Sequence, residues 1–185
     1  AKVFKNPFGV ELRDFHPQPC SSSKPTAIIV GNWSLQKGCH MLKDVWPLLK
    51  TAHPKLLHVG SIGDADFPHD HPDFHHYQKV SQNELHHYYQ KAHVQLMFSL
   101  EEGLPVVLFQ GLVSGLVLVC SLPSGGSDLQ QFTPQKERII TSQSFDLNEM
   151  AQCIDRAFSL AMNQDFKRLD TQVEGIQWRD YAKRY

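Results

Sequence analysis

At 185 residues, with a formal net charge of −1 and 20% charged residues, the chain can bury its own core. It is too evenly charged for a disordered segment or a general nucleic-acid binder. Its four cysteines, Cys20, Cys39, Cys120 and Cys153, are scattered without a CxxC pair, which argues for a reducing compartment and against a disulfide framework or a zinc ribbon. No run of about 20 apolar residues and no signal-peptide pattern occurs, so neither a membrane span nor a secretory leader is expected.

Residues 1–25, with Asn6-Pro7, Gly9, Pro17, Pro19 and Ser21 to Ser23, read as turns and linker from the middle of a longer protein. A short apolar run, Thr26–Gly31, suits a strand buried on both faces of a parallel sheet. Met41, Leu42, Val45, Trp46 and Leu49 then recur at helical spacing, and Pro47 predicts a kink or two shorter pieces. Lys55–Gly60 repeats the apolar run that ends in Gly. A polar loop, 61–73, leads to a third strand over Phe74–Val80. Ser81 and Glu84 form a capping box that opens a helix to about Ala92, and Val94–Phe98 returns as a strand. Pro105, suited to the first helical position, opens a helix over Pro105–Val113.

Leu116–Cys120 and Arg138–Thr141 supply two more strands. Asp146 and Glu149 offer a cap for a helix that presents Leu147, Met150, Ala151, Ile154, Ala157, Phe158 and Ala161 at helical spacing. The segment 163–185 alternates polar and aromatic residues (Phe166, Trp178, Tyr181, Tyr185) and reads as helical, with its packing partner elsewhere. Strand and helix alternate without a repeat period. This predicts an α/β fold with a doubly wound, mostly parallel Rossmann-like sheet. The expected division is a linker at 1–25, the Rossmann-like domain at 26–162 and a C-terminal segment at 163–185.

Open parallel sheets take ligands beyond the carboxyl ends of their strands, where the strand order switches. Ser99–Pro105 is the most informative loop there. It runs from a strand into a helix whose first amides lack intrahelical partners and carry the positive end of the macrodipole, an anion site. Gly103 allows close backbone approach to a phosphate. Glu102 would repel a phosphate and makes sense as an acceptor for sugar hydroxyls, or else as an exposed Glu in a turn. Lys37 could neutralise a diphosphate in the same crevice, or be a surface lysine. Gly125-Gly126-Ser127 would add free amides, or simply be a flexible connection.

Taken in order, Val30–Gly38, Val80–Leu85, Ser99–Gln110 and Leu122–Gly126 resemble glycosyltransferase family 4, specifically the C-terminal domain of its two-Rossmann-domain GT-B architecture. The entry Asn6–Pro17 resembles that family's interdomain linker. The resemblance implies retaining transfer from a nucleotide-activated sugar, the nucleotide sugar being a substrate rather than a cofactor, with no metal. It implies a glycan or lipid acceptor, an N-terminal domain of the same protein as partner, and no nucleic acid. Polysaccharide assembly in the cytoplasm, or peripheral at the membrane through the other half, is the setting expected, and this domain alone is expected to be inactive.

The family's paired glutamates fall on Glu102, implied to contact the sugar, and on Gln110, a departure at the ribose-binding position. Its basic pair falls on Asn32, a second departure, and on Lys37. Each lost charge interaction would cost ~1.5–3 kcal/mol. The amides of Gly103 and Leu104, with Pro105 behind them, are untouched by such drift, and the base is implied to lie against Lys79-Val80.

Eleven histidines are many for this length. His69, His71, His75 and His76, with Asp70 and Asp73, could bind zinc or nickel, but no Cys is near and neighbouring strand residues point to opposite faces. A solvated loop and strand end is the plainer reading, and His86 and His87 read as helix surface. Three functions therefore stand at this stage: a donor-binding domain, a degenerate glycosyltransferase-like domain, and an unrelated Rossmann-like module binding a ligand or metal.

Overall fold

The computed structural model describes residues 10–103, 105–175 and 182–183. Six strands form one sheet: β1 Thr26–Val30, β2 Lys55–Val59, β3 Phe74–Tyr77, β4 Val94–Met97, β5 Val117–Ser121 and β6 Ile139–Ser142. Their order is β3-β2-β1-β4-β5-β6, and every pairing is parallel. β1, β4 and β5 are buried on both faces. That is why they read as unbroken apolar runs rather than alternating ones.

Strand residues of opposite parity feed two separate cores. Ala27, Ile29, Val117 and Val119 join the α1 (Leu42–Val45) and α4 (Leu147–Ala161) side, while Ile28, Val30, Leu118 and Cys120 join the α2 (Gln82–Tyr89) and α3 (Val106–Val113) side. Each helix turns its apolar stripe onto one face, so the sheet is doubly wound.

Local signals set most boundaries. Pro47 limits α1 to four residues, and the chain continues as a 3-10 turn, Trp46–Leu48, one of the two shorter pieces expected. Glu84 closes the capping box, its Oε2 accepting the Ser81 amide at 3.1 Å and hydroxyl at 2.7 Å. Asp146 caps α4 by accepting the Asn148 and Glu149 amides at 3.0 Å each.

Two details differ from the expectation. Pro105 has extended ψ and is the N-cap of α3 rather than its first residue. β3 stops at Tyr77, so Lys79 and Val80 belong to the turn before α2.

The flanking segments lie on this domain. Val10 and Phe15 are buried, Phe15 edge-on to Tyr89 at 5.9 Å. Residues 163–175 contain one 3-10 turn, Arg168–Asp170, rather than a longer helix. Arg168 donates to the carbonyls of Tyr89, Ala92 and Ser114 at 2.9, 2.6 and 3.1 Å, tying that segment under the amino ends of β4 and β5. Trp178, Tyr181 and Tyr185 lie outside the described residues.

Candidate functional site

The chain leaves β1 toward β2 and leaves β4 toward β5, although β1 and β4 are neighbours. Loops that diverge from adjacent carboxyl ends open a crevice between them. Gly38 brings its two walls together. Its φ is +67°, and a Cβ there would overlap the carbonyl oxygen of Phe98 at the end of β4. Only glycine supplies both the left-handed backbone and the clearance. Gln36 fastens the walls, its carbonyl accepting the Leu100 amide at 2.8 Å and its Nε2 donating to the Glu101 carbonyl at 3.3 Å.

Between these fixed points Lys37 Nζ forms an ion pair with Glu102 Oε2, across the crevice and 65 positions apart in sequence. The two side chains are 23% and 21% exposed, so water screens the pair only partly. Burial pulls the Lys37 pKa down, and Cys39, two residues on, opposes that in part. Burial pushes the Cys39 thiol itself up to about 11.

At the carboxyl ends of β1 and β2 lies a cavity of about 290 Å³, lined by neither Lys37 nor Glu102. Asn32, expected on the phosphate side, and Lys79 and Val80, expected at the base, line it together with Ser61, Gln82 and Val107. Asn32 is exposed, as befits a position whose side chain lies on a loop rather than in the core. The cavity floor is rigid. The Gly31 carbonyl accepts from His58 Nε2 at 2.9 Å and is covered on its other side by Gly60, where φ is +154° and a Cβ would overlap it.

His58 is fully buried and its Nδ1 lies 2.9 Å from Nδ1 of His76. With Nε2 donating to a carbonyl, a neutral His58 accepts at Nδ1 from the Nδ1–H of His76. Burial drives the His58 pKa down to about 4. The sequence reading did not single out His58, Gln36, Gly38 or Gln82. Only Gly38, in the Gln-Lys-Gly run, carried a signal that could have found it.

Gln110 sits apart from the pair. It is buried, donates from Nε2 to Gln82 Oε1 at 2.7 Å, and lies 3.5 Å through Oε1 from the Tyr89 hydroxyl. It reaches the cavity only through Gln82. Gly103 is in open space: a Cβ there would meet no atom within 4 Å among the described residues. Pro105 has no N–H to offer, so the free amides at the start of α3 are those of Val106 and Val107. Leu104 lies outside the described residues.

The histidine loop does not assemble a metal centre. Among the described residues no three His, Cys, Asp or Glu side chains converge as ligands. His76 instead joins an aromatic stack with His58 and Phe67, at centroid distances of 4.9 and 5.4 Å. It is therefore half-buried, with one side of the ring against the core. Gly126 also departs from a loose connection. It starts a 3-10 segment, Gly126–Phe132, and a Cβ there would overlap Cys120 Sγ. A larger cavity, about 440 Å³, lies at the opposite, amino end of the sheet beside Arg138 and Phe166, away from the switch point.

The profile of the family described as glycosyl transferases group 1 matches residues 24–159, so the chain belongs to that family. Solved structures share its fold. Sucrose-phosphate synthase from Thermosynechococcus elongatus is 19% identical with a TM-score of 0.68, over 97% of this chain and 50% of that one. HepE of Anabaena, solved in complex with UDP and glucose, is 12% identical with a TM-score of 0.67, over 95% of this chain and 53% of that one. The C-terminal domain of the group 1 glycosyl transferase LpcC from Francisella tularensis is 12% identical with a TM-score of 0.65, over 96% of this chain and 98% of that one. The sheet is thus a GT-B glycosyltransferase domain. This chain spans about half the length of the first two proteins. No curated protein matches it by sequence. Among the described residues no helix is long and apolar enough to cross a membrane.

Proposed function

We propose that this chain is the nucleotide-sugar-binding half of a retaining glycosyltransferase, completed by an N-terminal domain that carries the acceptor, a glycan or lipid. The observation that carries the reading is the Lys37–Glu102 pair at the strand-order switch, with a cavity lined by Asn32, Ser61, Lys79 and Val80 at the ends of β1 and β2. A cation and the start of a helix suit the diphosphate, a carboxylate suits the sugar, and the cavity suits the nucleoside. The diphosphate would take the Gly103 and Leu104 amides and the free amides at the head of α3. Lys37 would offset charge as the leaving group departs, which is electrostatic stabilisation with no metal required. Glu102 would hold the sugar hydroxyls, and the nucleoside would occupy the cavity against Lys79 and Val80. Alone, the domain lacks half of its cleft and should not turn over.

UDP is the first nucleotide to test, because the Anabaena protein of the same fold was solved with UDP and glucose. Calorimetric titration of the chain with UDP, GDP and ADP, at low salt without metal, should give saturable binding of one of them. Lys37→Ala should weaken it about tenfold or more, as loss of a charged contact of ~1.5–3 kcal/mol requires. Binding that survives Lys37→Ala unchanged would remove the phosphate role.

One observation favours a second reading, a degenerate domain that binds nucleotide weakly or acts through protein contacts. The Gln110 amide is committed to Gln82 rather than presented to the cavity. Gln110→Glu separates the two. A gain of about tenfold in nucleotide affinity would mark a site that has drifted from its best donor binding, and no gain would mean that the donor is held without this position.

A further inference from the structure

We propose that Glu102 is a self-plug on the phosphate site: in the free protein its carboxylate occupies the Lys37 ammonium, and an incoming diphosphate must displace it. The inference rests on the donor-site reading above and adds to it a competition built into the crevice. Three observations support it.

The ion pair joins Lys37 to Glu102, at 23% and 21% exposure, so the ammonium the diphosphate would use is already paired within this chain. A ligand for Lys37 therefore meets a site whose competent form is only a fraction of the population, and its apparent affinity falls by that fraction. The loop also leaves room for release. On its near side it is fastened through Leu100 and Glu101 to Gln36. On its far side Pro105 caps α3. Between the two anchors Gly103 stands in open space, so Glu102 can leave Lys37 without moving either wall.

The displaced carboxylate has a use as well. Freed from Lys37, it is an unpaired acceptor at the mouth of the crevice when the sugar arrives. A bare diphosphate would open the plug without giving Glu102 a new partner, whereas a sugar nucleotide would supply both, so the device favours the donor over the product.

The test is a double-mutant cycle read by calorimetry, with inorganic pyrophosphate and UDP as probes, on the wild-type chain, Glu102→Gln, Lys37→Ala and the double variant. Glu101→Gln serves as a charge control, since it removes the neighbouring exposed carboxylate without touching Lys37. Glu102→Gln is expected to tighten pyrophosphate and UDP by about threefold to tenfold, with Glu101→Gln changing them little. In the Lys37→Ala background Glu102→Gln should give no gain, because there is no cation left to uncover.

An equal gain in both backgrounds, or from Glu101→Gln, would mean simple charge repulsion and would overturn the plug while leaving the donor site standing. UDP that binds the wild type and Glu102→Gln equally would also overturn it. No binding of either probe to any of the four proteins would overturn the donor reading itself, and the plug with it. Circular dichroism of each variant confirms that a lost signal is not a lost fold.

Discussion

Lys37 depends on a residue that carries no charge. Gly38 holds a left-handed φ of +67° with its α-carbon against the Phe98 carbonyl, and any side chain there would push the β1 loop off the end of β4. Gly38→Ala should therefore cost ~2 kcal/mol or more, from backbone strain plus the clash. Urea unfolding would check it, with the midpoint falling and the slope unchanged. The same variant should weaken nucleotide binding, because Lys37 moves with the loop. A fully stable Gly38→Ala would mean that the walls of the crevice are not fixed by this contact.

The pairing of Lys37 with Glu102 shows where single residues stop being legible. Each is recognisable from the sequence, one beside a Gly after a strand and the other beside Gly103. Their contact is not, because it depends on β1 and β4 being neighbours, a property of strand order across 65 positions. Gln110 shows the converse. Its departure from Glu is plain in the sequence, but its hydrogen bond to Gln82 depends on how α2 and α3 lie together on one face of the sheet.

Elements were legible where a local signal is strong enough to survive packing. Asp146 is one such signal. It accepts two first-turn amides of α4, the helix that fills one core with Met150, Ile154 and Phe158. Asp146→Ala should lower stability by about 1 kcal/mol, within the range measured for N-cap loss, and a thermal melt should show it. Asp146→Asn, which can still accept, should recover most of that. Where the reading missed an element, a tertiary contact had overridden the local signal. Pro105 suits a first helical position, yet it caps α3 instead, which leaves Val106 and Val107 with free amides. Gly125-Gly126 looked like slack, yet Gly126 is needed because Cys120 Sγ lies where its side chain would be. A glycine required for close approach and one required for looseness are spelled alike.

At the scale of the whole molecule, one buried imidazole ties β2 to the cavity floor. His58 lies in β2, fully buried, and its Nε2 proton holds the Gly31 carbonyl at the cavity floor. Burial lowers its folded pKa to about 4, against ~6.5 for an unfolded histidine. The unfolded chain therefore binds this proton more readily than the folded one. The stabilising contribution of neutral His58 is complete above pH 6.5 and is lost as pH falls from there toward 4. Over that window the linkage amounts to roughly 3 kcal/mol at ~1.4 kcal/mol per unit.

His58→Gln places a non-titrating donor where Nε2 was. It should give a stability profile that falls less steeply than the wild type between pH 6.5 and 4, measured by urea unfolding at fixed ionic strength. Above pH 7 the two profiles should run parallel. Acid places the new proton on Nδ1, which faces His76, and leaves the Nε2–H bond to Gly31 in place, so nucleotide affinity should change less than stability over the same window. Two profiles of identical slope from pH 7 to 4 would show that the proton taken up on acid unfolding belongs elsewhere.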